Sequence, residues 1–187
     1  LDSSTNAFSI TRNGNTTQGS FSPYGSLWSN NFGSSSSDKL SVPASTNWDF
    51  GSGDFTLEAW LYPTADMTDS HIFSLYASDG TGFWDLRLTT TNKVRFYWNN
   101  NSLNITTAGT VTKFIWNHIV CVRSGSTISI FVNGVRDATG SISSITNNSA
   151  TDPLFLGSQY TYDRRVYGYL SNGRIPRQER NIWYSND

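Results

Sequence analysis

Glu58 and Glu179 are the only glutamates in this 187-residue chain, and their scarcity limits the chemistry it can perform. Cleaving a glycosidic bond takes two carboxylates flanking it, one acting as acid and the other as nucleophile or base. Glu58 is followed by Ala59-Trp60-Leu61-Tyr62-Pro63, with no second carboxylate nearby in sequence. A pair drawn from separate segments, such as Asp79 with Asp85, has no motif to mark it. His71 and His118 are the only histidines, and neither sits in a nucleophile elbow. His118, flanked by Trp116 and Ile119, reads as a structural histidine donating to a carbonyl. Cys121 stands alone inside Ile119-Val120-Cys121-Val122 and reads as a buried, inert thiol. Two histidines and one cysteine without ligand spacing do not make a zinc site. The residues point away from an enzyme.

Binding chemistry is better represented. Sugars present an apolar C–H face that stacks on Trp or Tyr, and hydroxyls that suit Asp, Asn and Arg. In the segment Trp84 to Trp98, alternation sends Trp84, Leu86, Leu88, Val94, Phe96 and Trp98 one way. Asp85, Arg87, Arg95 and Tyr97 then share the other face and floor a shallow groove, with Asn99, Tyr160 and Tyr162 as candidates at its rim. Trp28, Trp48, Trp60 and Trp116 are assigned to the core, where large aromatics in strand patterns usually pack.

The elements that would carry these residues are strands. Ser, Thr and Asn number 28, 21 and 18, against three Lys and two Glu, and aromatics make up 14% of the chain. Helical proteins favour Ala, Glu, Lys and Leu, whose side chains lose little freedom in a helix, so an all-β fold is expected. Phe55 to Tyr62 alternates with period two, so Phe55, Leu57, Ala59 and Leu61 share a face, and Pro63 ends the strand. Further strands are expected at 71–77, 84–89, 93–98, 116–123 and 127–132, with shorter ones at 8–11, 39–42, 154–157 and 166–171. Asn133-Gly134 predicts a tight turn after which the chain folds straight back. About a dozen strands without an amphipathic helix favour a two-sheet antiparallel sandwich, built as one domain over residues 1–187 with a lead-in strand and loop over 1–25.

A net charge of −1 argues against a nucleic-acid partner, which requires a basic surface. Five of the ten arginines (Arg164, Arg165, Arg174, Arg177 and Arg180) fall in the last 24 residues and read as a solvated or ion-paired face. Apolar runs are too short for a membrane-spanning helix. Leu1 in place of Met reads as the start of a processed product or of a piece of a longer polypeptide.

Several blocks resemble laminin-G-like, concanavalin A-type jelly rolls. They are Phe32-Gly33-Ser34 through Asp38-Lys39-Leu40-Ser41-Val42-Pro43; Asp49-Phe50-Gly51-Ser52-Gly53-Asp54-Phe55-Thr56-Leu57-Glu58-Ala59-Trp60; Trp116-Asn117-His118-Ile119-Val120 with Ile130-Phe131-Val132-Asn133-Gly134; Leu154-Phe155-Leu156-Gly157; and Gly168-Tyr169-Leu170-Ser171-Asn172-Gly173-Arg174-Ile175. Phe8-Ser9-Ile10-Thr11 with Thr17-Gln18-Gly19-Ser20-Phe21-Ser22-Pro23 resembles the lead-in of bacteriophage versions. The resemblance implies a jelly-roll sandwich on a virion or extracellular surface, working in attachment through a surface glycan or another virion protein. A structural capsid or tail decoration protein is the alternative, and an oligomer is compatible with either. Glycoside hydrolases of the same fold carry a Glu-x-Asp-x-x-Glu-like set, which Glu58 does not begin. No cofactor is required. The resemblance also implies a structural calcium bridging Asp38, before an early strand, and Asn172 on the closing strand, where Asp is common.

Overall fold

The computed structural model describes residues 2, 4–25, 27–75, 83–98, 103–143, 151–160 and 163–176. Fourteen strands are present among them. They are β1 (Thr11–Asn13), β2 (Thr17–Gly19), β3 (Ser29–Phe32), β4 (Lys39–Val42), β5 (Phe55–Pro63), β6 (Ser70–Leu75) and β7 (Trp84–Leu88). The second half supplies β8 (Val94–Trp98), β9 (Leu103–Thr106), β10 (Asn117–Ser124), β11 (Thr127–Val132), β12 (Val135–Ser141), β13 (Leu154–Leu156) and β14 (Gly168–Arg174). One 3-10 turn, Thr46–Trp48, is the helical element among the described residues.

The strands form two antiparallel seven-stranded sheets. The front sheet runs β1-β4-β13-β6-β7-β8-β9 and the back sheet β12-β11-β10-β5-β14-β3-β2. This is the expected jelly-roll sandwich, with β2, β3 and β9 added to the strands anticipated from the sequence. Ser29-Asn30-Asn31-Phe32 and Thr17-Gln18-Gly19 carry no apolar alternation, so only their pairing with neighbours makes them strands. Phe8 to Ile10 was expected as strand, but pairing with β4 begins only at Thr11. Pro63 is the last residue of β5 rather than the one after it, a terminal place where its missing N–H is tolerated.

β5 sits at the middle of the back sheet, and its period-two pattern sets the register of its neighbours. Phe55, Leu57, Ala59 and Leu61 are at most 1% exposed. Ile119 pairs with Ala59 and Cys121 with Leu57, so β10 delivers its own apolar set to the same layer. Opposite them, Trp84, Leu86, Leu88, Val94 and Phe96 come from the front sheet. Phe50 stacks on Phe55 with ring centroids 4.2 Å apart, and the Trp84 Nε1 donates to the Trp48 carbonyl at 3.2 Å. Trp48 is thus a core residue, as expected. The Asn133-Gly134 turn takes positive φ at both residues, the conformation that a two-residue hairpin between twisted strands needs.

One buried cation closes an end of the sandwich. Arg123, 2% exposed, donates to the carbonyls of Gly51, Gly125 and Ser143 and so ties three loops together. At the closing strand, Gly168 has φ +141, and a Cβ there would stand 2.0 Å from the Tyr62 carbonyl oxygen. Only glycine lets β14 lie against β5 at that point.

Candidate functional site

The front sheet brings together four of the expected sugar-binding residues. Asp85 faces Tyr97 and Arg87 faces Arg95 across β7 and β8, and His71 on β6 faces Arg87. The face they share is consumed internally rather than left as a floor. Asp85 is 1% exposed and Arg87 7%. Arg87 Nε lies 2.8 Å from Asp85 Oδ1, an ion pair by distance whose N–H is not aligned for a hydrogen bond. Arg87 also donates to Asp69 at 2.8 Å, and Arg164 shares that carboxylate. The guanidinium stands 4.7 Å over the Tyr97 ring, and Phe83 stacks on the same ring at 5.4 Å. Arg95 donates to Thr106, and Tyr160, 51% exposed, packs on Phe155. Asn99 and Tyr162 lie outside the described residues, as does Asp79.

Burial sets the charges in this cluster. It pushes the Asp85 carboxyl up to about 7 against the opposing pull of Arg87. It drives the His71 imidazole well below its ordinary value, helped by Arg87 and Arg164, and neither ring nitrogen of His71 has a hydrogen-bond partner. Cys121 is fully buried with its thiol pushed far up, so it is inert as expected.

Asp38 and Asn172 are not brought together. β3 ends at Phe32, one residue before Gly33, which donates to Asp38. Phe32 pairs with Gly168 at the start of β14, and Asn172 lies beyond Ser171 at the other end of that pairing. Four residues of strand separate the two positions by roughly 13 Å, too far to share one ion. The Asp38 oxygens are also committed: they accept from the backbone of Asn15, Gly33, Ser34 and Ser35 and from the Ser34 hydroxyl. The side chain is shielded by its own loop, not sunk in the core, and those donors lower its pKa although burial opposes them. The residues present do not fit a calcium bridge. They form a loop knot, into which Gly14 fits because a Cβ would meet Asp38 Oδ1 at 2.5 Å.

Trp60 and Trp116, expected in the core, instead belong to an aromatic ledge on the outer face of the back sheet. Trp60 and Tyr62 point outward from β5, Tyr169 from β14, and Trp116 precedes β10. Over them lies the lead-in loop. The Phe21 ring stands 4.8 Å from Tyr62, 4.9 Å from Tyr169 and 5.3 Å from Trp116, while Tyr24 meets Trp60 edge-on at 5.6 Å. Phe21 remains 45% exposed and Tyr24 42%. Phe114 and Ile115, also exposed, continue the strip where the Pro63 carbonyl takes the Phe114 N–H. At its other end Trp60 stacks on His118 at 4.7 Å, and His118 Nε2 meets Glu58 Oε1 at 3.0 Å. The expected partner of His118 was a carbonyl; it is this carboxylate. The indole N–H groups of Trp60 and Trp116 have no protein acceptor. Trp28, at 59% exposed, is likewise not a core residue.

The signal for the ledge was present in the sequence. If Phe55, Leu57, Ala59 and Leu61 face inward, then Glu58, Trp60 and Tyr62 must face outward. Strand parity, not aromatic type, decides which way these side chains face.

Two antiparallel seven-stranded sheets packed face to face define a concanavalin A-like jelly roll. The chain belongs to the laminin G family described as the concanavalin A-like lectin/glucanases superfamily, whose match covers residues 32–181. No curated protein sequence matches it. Among solved structures, it is similar to the binding domain of Paraclostridial Mosquitocidal Protein 1, with 16% identity, a TM-score of 0.72, and coverage of 93% of this chain and 45% of that one. It is also similar to domain 4 of AbnA, an extracellular GH43 arabinanase of Geobacillus stearothermophilus in complex with arabinotriose, with 14% identity, a TM-score of 0.68, and coverage of 90% and 81%. The binding domain of botulinum neurotoxin serotype G gives 13% identity, a TM-score of 0.71, and coverage of 97% and 46%. At these identities the likeness is one of fold, and the chain spans less than half the length of either toxin chain. Two of these neighbours are named as binding domains, and the third is in complex with a saccharide. No helix among the described residues is long and apolar enough to cross a membrane.

Proposed function

We propose that this domain is a non-enzymatic, extracellular binding module whose ligand is a glycan, held on the aromatic ledge of the back sheet. The observation that carries this reading is the ledge itself: exposed rings continuous with the Glu58–His118 pair. Rings supply a stacking surface for sugar C–H faces, and the carboxylate and imidazole supply directed hydrogen bonds. An arabinotriose complex on a domain of the same fold supports a saccharide ligand. Against hydrolysis, Glu58 takes a histidine as its partner and Asp85 is sealed under Arg87. The setting we propose is attachment from a virion surface, a reading that rests on the resemblance of the lead-in supplying Phe21 to bacteriophage versions. On the front sheet, Tyr160, 51% exposed, and the partly exposed Arg95 are proposed as auxiliary contacts.

Glycan-array binding followed by titration of Trp60→Ala is the direct test. We expect at least a tenfold loss of affinity, about 1.4 kcal/mol. Unchanged affinity in the variant refutes the ledge as the site. A second reading, a decoration protein, is favoured by β12, a seven-residue strand at the edge of the back sheet with Val135 68% exposed. Such an edge can accept a strand from a neighbouring subunit. Recovery of the domain bound to a virion protein, with no glycan bound, selects that reading.

A further inference from the structure

We infer that the ledge takes an extended, uncharged polysaccharide, recognised along several sugar units at once rather than at a chain end; this rests on the ledge being the glycan surface. Its shape comes first. Glu58, Trp60 and Tyr62 follow one another at alternate positions on β5, so the strip extends about 13 Å along that strand, longer than one sugar ring. Phe114 and Ile115 lengthen it past the end of β5, and both are about half exposed or more. Phe21 and Tyr24 stand on the sheet side by side, spreading the ring surface across β5 and β14. A site for a terminal sugar would be concave and enclose most of its ligand. Here Phe21 and Tyr24, each nearly half exposed, stand on a sheet face instead of lining an enclosure, which suits a chain that passes across them.

Its charge comes second. Among the described residues that form the strip, from Ile115 to Trp60, there is no Lys or Arg to pair with a uronic acid, sialic acid or sulfate. Recognition of such anions uses charge-assisted hydrogen bonds, most often from Arg. Ionisable groups flank the strip in pairs: Lys113, beside Phe114, is bound to Asp66 at 2.8 Å, and at the far end Glu58 has His118 as its partner with Arg174 across from it on β14. A row of neutral rings between paired charges matches a neutral sugar backbone that presents alternating C–H faces and hydroxyls.

The full chain is tested for retention on insoluble cellulose, xylan and arabinan, with alginate and hyaluronan as acidic controls. Oligosaccharides of increasing length, cut from whichever neutral polymer retains it, are then titrated calorimetrically. The expected result is retention on a neutral polymer, affinity rising by roughly tenfold or more from the monosaccharide to the longer oligomers, and a loss of at least tenfold in both Trp60→Ala and Phe21→Ser. Phe21 lies on a loop outside the core, so its variant remains informative if Trp60→Ala fails to fold. Full affinity for a mono- or disaccharide, or preference for the acidic polymers, overturns the inference while leaving a glycan module in place. Absence of binding to every saccharide, here and on the array, overturns both.

Discussion

Asp85→Asn should tilt the pH dependence of stability in a calculable way. In the folded protein Asp85 holds its proton up to about pH 7, whereas in the unfolded chain it titrates near 3.9. Its contribution to stability is therefore fully present below pH 4 and is lost as pH rises through 7. His71 runs the other way. It stays neutral in the fold well below its ordinary value, so the unfolded chain binds a proton that the native state does not, and stability falls as pH drops below 6.5. Between about pH 4.5 and 6 the wild-type fold carries its proton on Asp85 and the unfolded chain carries one on His71, so the two slopes cancel.

Replacing Asp85 with Asn removes one slope and keeps the other. The difference in unfolding free energy between variant and wild type should then change by up to about 1.4 kcal/mol per pH unit, or about 2 kcal/mol across that window, with the variant gaining as pH rises. The action of Arg87 and Arg164 on His71 is common to both proteins and falls out of the difference, whereas that of Arg87, Asp69, Arg164 and Arg95 on Asp85 is contained in its raised value. Urea denaturation at closely spaced pH values measures it, and His71→Phe should tilt the curve in the opposite sense. Parallel curves for wild type and Asp85→Asn would show that Asp85 is ionised in the fold throughout, with Arg87 outweighing desolvation.

Asp38→Asn should cost about 2–4 kcal/mol, because a charge that accepts five hydrogen bonds is replaced by an amide that cannot accept them all. That corresponds to a drop of roughly 5–15 °C in Tm. Chelator should leave the wild-type melting temperature unchanged, and a calcium-dependent rise that Asp38→Asn abolishes would instead establish an ion at this loop. Arg123→Ala should destabilise by about 3–5 kcal/mol in chemical denaturation, since three loop carbonyls lose a buried charged donor. Gly168→Ala should fail to reach the native fold or lose more than about 3 kcal/mol, judged by near-ultraviolet circular dichroism, because its Cβ collides with backbone.

The fold was legible wherever burial enforced alternation. β5, β7, β8, β10 and β11 each show a period-two apolar set, and their registers follow from it. The strands β2 and β3 were not legible, because Thr, Asn, Gln and Gly there are held by partners distant in sequence, whereas β9 does alternate, Leu103 and Ile105 inward, but over only four residues. At the front face, alternation gave the right grouping of Asp85, Arg87, Arg95 and Tyr97 but no information on what covers it. Asp69 and Arg164, which close the network around Arg87, come from loops far apart in the chain. The ledge was hidden for a different reason. Outer faces of antiparallel sheets are usually polar, so aromatic residues were read as interior even where parity put them outside.

The two sheets of this sandwich are laced together along both long edges by carboxylates rather than by disulfides. On one edge, the three-residue link Gly14–Thr16 carries the chain from β1 in the front sheet to β2 in the back sheet, and Asp38 grips it through the Asn15 N–H. On the other, Asp137 of β12 accepts from the N–H groups of Ala108 and Gly109, just past β9. Sliding one sheet over the other would have to break one of these two seams. A chain with a single cysteine thereby resists shear between its layers in reducing and oxidising surroundings alike.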